Sequence, residues 1–169
     1  MGSLRTLSTA LVLVAGGGTG LAEAQDGAAR DDAGFRYAAK VLCTAGFPDG
    51  PEPAEPFAAA GIYATAVNVL NPTAGAAEFG YRVSAPGAPL SRPVTAELGP
   101  EETLAIDCRG LPTLFCPVDN MCFDFAFLDG FLIIASPVEL DVVAVYSAGD
   151  SEGQVRTLDV ETVHPRVIE

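Results

Sequence analysis

Residues 130–165 read GFLIIASPVELDVVAVYSAGDSEGQVRTLDVETVHP, and the fold is decided by how this stretch is read. Three strand-like runs, 131–135, 140–146 and 154–163, are separated by the turn signals Ser136-Pro137 and Gly149-Asp150-Ser151-Glu152-Gly153. The first run is apolar at every position, the pattern of a strand covered on both faces. In the second, Leu140, Val142, Ala144 and Tyr146 share one face. The third alternates weakly and carries charge, as an edge strand does. The expectation is an antiparallel meander with run 131–135 at its centre. On that expectation Ile133→Asp abolishes folding, because a buried, unpaired carboxylate is too costly for a domain of ordinary stability.

Upstream, residues 35–43 alternate cleanly: Phe35, Tyr37, Ala39, Val41 and Cys43 point one way. Residues 44–59 contain Pro48, Pro51, Pro53 and Pro56, which cannot donate to a ladder, so an exposed irregular segment is expected. Run 61–70 is a second strand, with Tyr63, Thr65, Val67 and Val69 on one face, ended by Asn71-Pro72. Run 77–84 places Ala77, Phe79, Tyr81 and Val83 inward. Run 92–98 is demoted to an edge by Pro93, and run 103–108 aligns Leu104, Ile106 and Cys108. Residues 109–129 fit neither a helical nor a strand period, and 166–169 read as a short tail. Strand candidates at regular spacing, without a long helix, predict an all-β fold: an antiparallel Ig-like β-sandwich of seven to eight strands. The absence of Trp excludes the antibody-type core.

Residues 1–24 have the form of a signal peptide, with Arg5 before the apolar run 7–15 and Ala22-Glu23-Ala24 as a small-x-small cleavage site. That run is too short to span a bilayer, which needs about 20 apolar residues, so no transmembrane segment is expected in the mature chain. Residues 25–33 are polar and small, a flexible lead-in, and 34–165 are the β-sandwich domain. The formal charge of −13 is unchanged by removal of Arg5 with Glu23, and argues against nucleic acid and anionic lipid as partners. Cys43, Cys108, Cys116 and Cys122 behind an export signal favour disulfides over a metal site, because a zinc centre needs two close ligand pairs.

Several pieces resemble a family of secreted bacterial all-β proteins of uncharacterised function. They are Lys40-Val41-Leu42-Cys43, residues 63–72 (YATAVNVLNP), Ala105-Ile106-Asp107-Cys108, residues 130–134 running into 136–146, and residues 157–161. The resemblance implies a small secreted all-β domain and brings no catalytic residue or cofactor with it. The proline-rich segment and residues 109–129 depart from it. Of the three pairings open to four cysteines, Cys43–Cys108 with Cys116–Cys122 is expected. Cys43 and Cys108 end regular strands on apolar faces and lie within the family-like pieces; the other two belong to the departing segment, making it a disulfide-tied loop.

Chemistry-bearing groups are sparse. His164 is the sole imidazole and sits in the tail, and no nucleophile elbow is present. Asp141, Asp159 and Glu161 are expected on neighbouring strands, with Asp159 and Glu161 about 7 Å apart by strand rise, a spacing that glycosidase carboxylates also use. Asp119, Asn120 and Asp124 in one loop, and Asp150 and Glu152 in another, carry the hard oxygens calcium prefers, without the EF-hand pattern. Phe115, Phe123, Phe125 and Phe127 form either a binding loop or a cap folded onto the core. The reading is a secreted or periplasmic, non-enzymatic binding or structural domain, with no catalytic, metal or cofactor residues, whose partner is a protein or envelope component. The alternatives are a secreted hydrolase using surface carboxylates, or a filament subunit joined by strand addition at a sheet edge.

Overall fold

A computed structural model describes residues 34–44, 61–115, 127–150, 152 and 154–168. Among these, nine strands and one 3-10 turn are formed: β1 (Phe35–Thr44), β2 (Ile62–Leu70), β3 (Ala77–Ser84), β4 (Val94–Leu98), β5 (Thr103–Asp107), the 3-10 turn Leu111–Phe115, β6 (Phe127–Ser136), β7 (Asp141–Gly149), β8 (Val155–Thr162) and β9 (Arg166–Val167). They build two sheets, ordered β4-β3-β6-β1-β9 and β5-β2-β7-β8, with every neighbouring pair antiparallel. The fold is an all-β sandwich, as the strand spacing predicts. The signal peptide, the lead-in and the Cys116–Cys122 pair lie outside the described residues.

The inward faces follow the period of two. Tyr37, Ala39, Val41 and Cys43 of β1, Val67 and Val69 of β2, Phe79 and Val83 of β3, Leu132 and Ile134 of β6, and Val142 and Ala144 of β7 form the core. Beyond β5, Leu111, Leu114 and Phe115 complete it from the 3-10 turn. Pro93 immediately precedes β4, which is an edge, and β8 is the edge of the other sheet.

The expected meander is corrected. β7 and β8 are a hairpin, closed where the Asp150 N–H donates to the Gln154 carbonyl at 3.1 Å. β6, however, lies in the opposite sheet, between β3 and β1. Ser136-Pro137 therefore marks a corner at which the chain changes sheets, a conformation that shares its turn residues with a hairpin. The buried Tyr37 holds that corner from β1. Its hydroxyl donates to the Leu140 carbonyl at 2.9 Å and accepts the Leu140 N–H at 2.7 Å. Two backbone groups that no ladder reaches are thereby satisfied inside the core.

Run 131–135 is central, yet it is covered on one face only. Leu132 and Ile134 are fully buried, Ile133 and Ala135 are half-buried, and Phe131 is 47% exposed with the Lys40 ammonium over its ring at 4.9 Å. Lys40 also pairs with Asp129 on this outer face. The continuous apolar run thus conceals an ordinary alternation. Gly130 is a packing necessity: a Cβ there would stand 2.5 Å from the Ser84 carbonyl oxygen.

Cys43–Cys108 is bonded as expected, with a Cα separation of 5.5 Å, and joins the end of β1 to the residue after β5 in the other sheet. Residues 166–169, expected as a tail, contribute β9, which pairs Val167 with Phe35 and Arg166 with Arg36. Two residues after a proline are too few to show alternation. The folded unit accordingly extends past residue 165.

The burial pattern relocates the sensitive position on β6. Leu132→Asp is expected to prevent folding, because the carboxylate enters the core without a partner. Ile133→Asp, on the half-open face, is expected to fold with a lowered melting temperature. Circular dichroism melts of the two variants check this, and equal behaviour contradicts the assigned faces.

Candidate interface at the sheet edge

An open sheet edge presents unpaired amides and carbonyls, and what covers it decides whether it can take another strand. The free side of β1 beyond Arg36, where β9 stops, is covered by side chains of the other sheet. The Thr65 hydroxyl accepts the Leu42 N–H at 3.0 Å and donates to the Leu42 carbonyl at 3.1 Å. The backbone amide of Lys40 lies against the Tyr146 hydroxyl. In the reverse sense, the hydroxyl of β1's own Thr44 accepts the Tyr63 N–H of β2 at 2.8 Å. Strand addition along β1 would have to break these bonds.

Among the described residues, β8 carries no such cover. All eight of its residues are exposed. Because Val142 and Ala144 face the core, the register places Leu158 (opposite Ser147) and Val160 (opposite Val145) on the outer face of the sheet, and Asp159 (opposite Tyr146) and Glu161 (opposite Ala144) on the inner face. Val155, Leu158 and Val160 are 66%, 67% and 59% exposed, three of the six large apolar side chains exposed among the described residues. The half-buried Val143 and Val145 of β7 extend the patch. Apolar side chains gathered on an unpaired strand are the signature of an interaction edge, whereas single exposed ones are ordinary.

The carboxylates expected together are divided. Asp141 opposes Leu70 and points outward, away from the face that holds Asp159 and Glu161. A shallow cleft of about 140 Å³ between the edges of β1 and β8 is lined by Leu42, Tyr63, Thr65, Tyr146, Thr157 and Asp159, among others. This is smaller than the ~300–1,000 Å³ of small-molecule sites. Glu161 lies outside the cleft lining and accepts the Tyr146 hydroxyl at 2.7 Å. His164 is exposed.

In the other acidic loop the oxygens are committed to the turn. One Asp150 oxygen accepts the N–H groups of Glu152 and Gln154, both at 3.0 Å, and the other accepts the Arg156 Nε–H at 2.8 Å. The Gln154 N–H bond, with lesser help from Arg156, holds this carboxyl below its ordinary pKa. Among the described residues no three His, Cys, Asp or Glu side chains converge on an ion-sized space. Asp119, Asn120 and Asp124 lie outside them. Of the four phenylalanines, Phe115 is buried beneath β3, and Phe127 is half-buried with its ring edge-on to Tyr63 at 5.8 Å; Phe123 and Phe125 lie outside the described residues.

Neither Thr65 nor Tyr146 stands out in the sequence as an edge plug, since each sits in an unremarkable alternating run. The β8 patch was partly legible: the third run reads as an edge, but its weak alternation hid the fact that Leu158 and Val160 share the exposed side.

No family profile and no curated protein matches the chain. A solved structure, the crystal structure of Thermotoga maritima 1070, aligns over 79% of this chain and 95% of its own, with 10% identity and a TM-score of 0.45.

Burial raises the pKa of Tyr37, against the opposing Leu140 N–H bond, and burial alone raises that of Tyr81. Burial and then the Glu161 carboxylate raise that of Tyr146. Since the native state disfavours these phenolates, the stability they contribute is complete below the unfolded value near 10 and is lost as pH rises through the folded values. A near-ultraviolet titration is therefore expected to show the tyrosinates of Tyr37, Tyr81 and Tyr146 appearing late and together with unfolding. Tyr146→Phe is expected to remove part of the late absorbance. Free titration of Tyr37, Tyr81 and Tyr146 near pH 10 in the folded protein contradicts this.

Proposed function

We propose that the protein is a non-enzymatic binding or structural domain working outside the cytoplasm, in the periplasm or beyond the cell, and that it engages protein partners through the β8 edge. One observation carries the reading: Val155, Leu158 and Val160 are exposed together on a strand whose outer side is unpaired among the described residues, while the neighbouring β1 edge is plugged by Thr65 and Tyr146. Main-chain groups supply affinity at such an edge, and alternate side chains supply selectivity. The Cys43–Cys108 disulfide fits an oxidising compartment, and among the described residues no helix is long and apolar enough to cross a membrane. A hydrolase reading has less support, with Asp141 on the opposite face from Asp159 and Glu161 and the cleft too small for a sugar chain.

The test uses the oxidised chain as bait in the exported fraction of its own cells, beside a Leu158→Asp/Val160→Asp variant. Because both side chains are exposed, the variant is expected to melt within about 1 kcal/mol of the parent. Proteins retained by the parent are expected to be lost from the variant. An identical retained set for both removes the β8 edge from the proposal.

A further inference from the structure

Resting on the reading of β8 as the interaction edge, we infer that its occupant is an extended segment of a partner protein in which apolar and basic residues alternate, with a Lys or Arg seated against Asp159. The register of β8 supplies the alternation. The Val163 N–H donates to the Val142 carbonyl of β7 at 2.9 Å. By the alternation of an antiparallel ladder, the backbone groups of Leu158, Val160 and Thr162 then point away from β7, where an added strand meets them. The side chains of that strand fall in step with those of β8. On the outer face they meet Leu158 and Val160, and on the inner face Asp159 and Glu161. All four residues lie in the regular ladder, clear of the bulge at Ala148 and Gly149.

Charge decides which residues suit the inner face. Residues 149–162 hold Asp150, Glu152, Asp159 and Glu161 against one cation, Arg156, which is paired with Asp150. Among the described residues neither Asp159 nor Glu161 has an ion pair. Opposite charges across a strand pair stabilise it, and like charges do the reverse. The formal charge of −13 adds a field that gathers a basic partner and repels a second copy of this chain.

The cleft between the edges of β1 and β8 gives one basic side chain a seat. Leu42, Tyr63 and Tyr146 form apolar and aromatic walls, with Thr157 and Asp159 on the β8 side. Its volume of about 140 Å³, too small for an ordinary ligand, suits one long side chain. Lys and Arg lay an apolar stem along such walls while the charged tip stays at a carboxylate, and the ring faces attract the cation as well. Asp159 itself is turned to its own strand, where one oxygen accepts the Val160 N–H at 2.9 Å. As the partner pairs, its carbonyl takes over that amide and the carboxylate is released to the cation.

The experiment titrates the oxidised chain into a fluorescein-labelled peptide of alternating Val and Lys and follows its anisotropy. Companion peptides carry Glu in place of Lys, or Ser in place of Val. The Val/Lys peptide alone is expected to bind, and less tightly as salt rises. Asp159→Asn/Glu161→Gln, and Thr157→Phe, which fills the cleft from an exposed position, are each expected to raise its dissociation constant about tenfold or more. Glu78→Gln/Glu97→Gln makes the same change of charge on exposed residues of the other sheet and is expected to leave binding unchanged. Asp159→Lys/Glu161→Lys is expected to exchange the Val/Lys peptide for the Val/Glu one. Equal binding of either companion by the parent, equal losses in the two carboxamide variants, or a dimer in sedimentation that the peptide does not dissociate each overturns the inference. If the Val/Lys peptide fails to bind while Leu158→Asp/Val160→Asp still loses its retained proteins, the basic segment is wrong and the β8 edge stands; if that variant loses nothing either, both fail.

Discussion

The two hydrogen bonds between the Tyr37 hydroxyl and the Leu140 backbone set the geometry on which the sandwich depends. A chain leaving a central strand of one sheet must cross the core boundary to begin a central strand of the other. At that crossing its backbone leaves one ladder before it joins the next, and its polar groups need partners. Tyr37 supplies both from the core side. The same strand makes the other ties across the layers: Leu42 bonds Thr65 of β2 through both backbone groups, and Cys43 is joined to Cys108 after β5. β1 is thus the seam of the structure. The disulfide closes a sequence separation of 65 residues, which chain-entropy reasoning equates with about 4 kcal/mol.

This seam makes the molecule asymmetric. The sheet edge that β1 would present is consumed by the plugs that bind the layers together. The opposite layer continues to β8, whose residues are all exposed and whose outer edge is unpaired among the described residues. Asp159 and Glu161 on the inner face are charges of the kind that discourage indiscriminate strand pairing, while Leu158 and Val160 on the outer face favour contact. A charged inner face with an apolar outer one narrows the acceptable partners rather than excluding all of them. Where β2 ends, beside the start of β7, buried Asn71 plays a comparable organising part. Its amide donates to the carbonyls of Gly75, Leu98 and Gly99, tying together the turns that flank β3 and β4.

Strand positions were largely legible because period-two alternation survives wherever one face is buried, as in β1 and β3. Layer membership was not. Ser136-Pro137 has the same local chemistry whether the chain reverses within a sheet or passes to the next, and the deciding contact comes from a residue 103 positions from Leu140. Run 131–135 looked doubly covered because Phe131 and Ile133 are apolar, although the structure leaves Phe131 half open beneath Lys40. The disulfide was legible because Cys43 and Cys108 fall on faces the alternation already marked as buried. The candidate interface was visible only as an edge. Which side of β8 carries its apolar residues follows from register, and register follows from tertiary pairing with β7.

The most direct measurement of this account is the stability of Tyr37→Phe by urea unfolding, together with amide exchange at Leu140. The substitution keeps the ring in the core and removes only the hydroxyl. A loss of about 1–3 kcal/mol for each orphaned Leu140 group is expected, with the Leu140 amide exchanging faster than those of β6 and β7 on either side. Unchanged stability and unchanged protection at Leu140 would show that the corner holds itself, and that the bonds from Tyr37 are not what lets the chain change sheets.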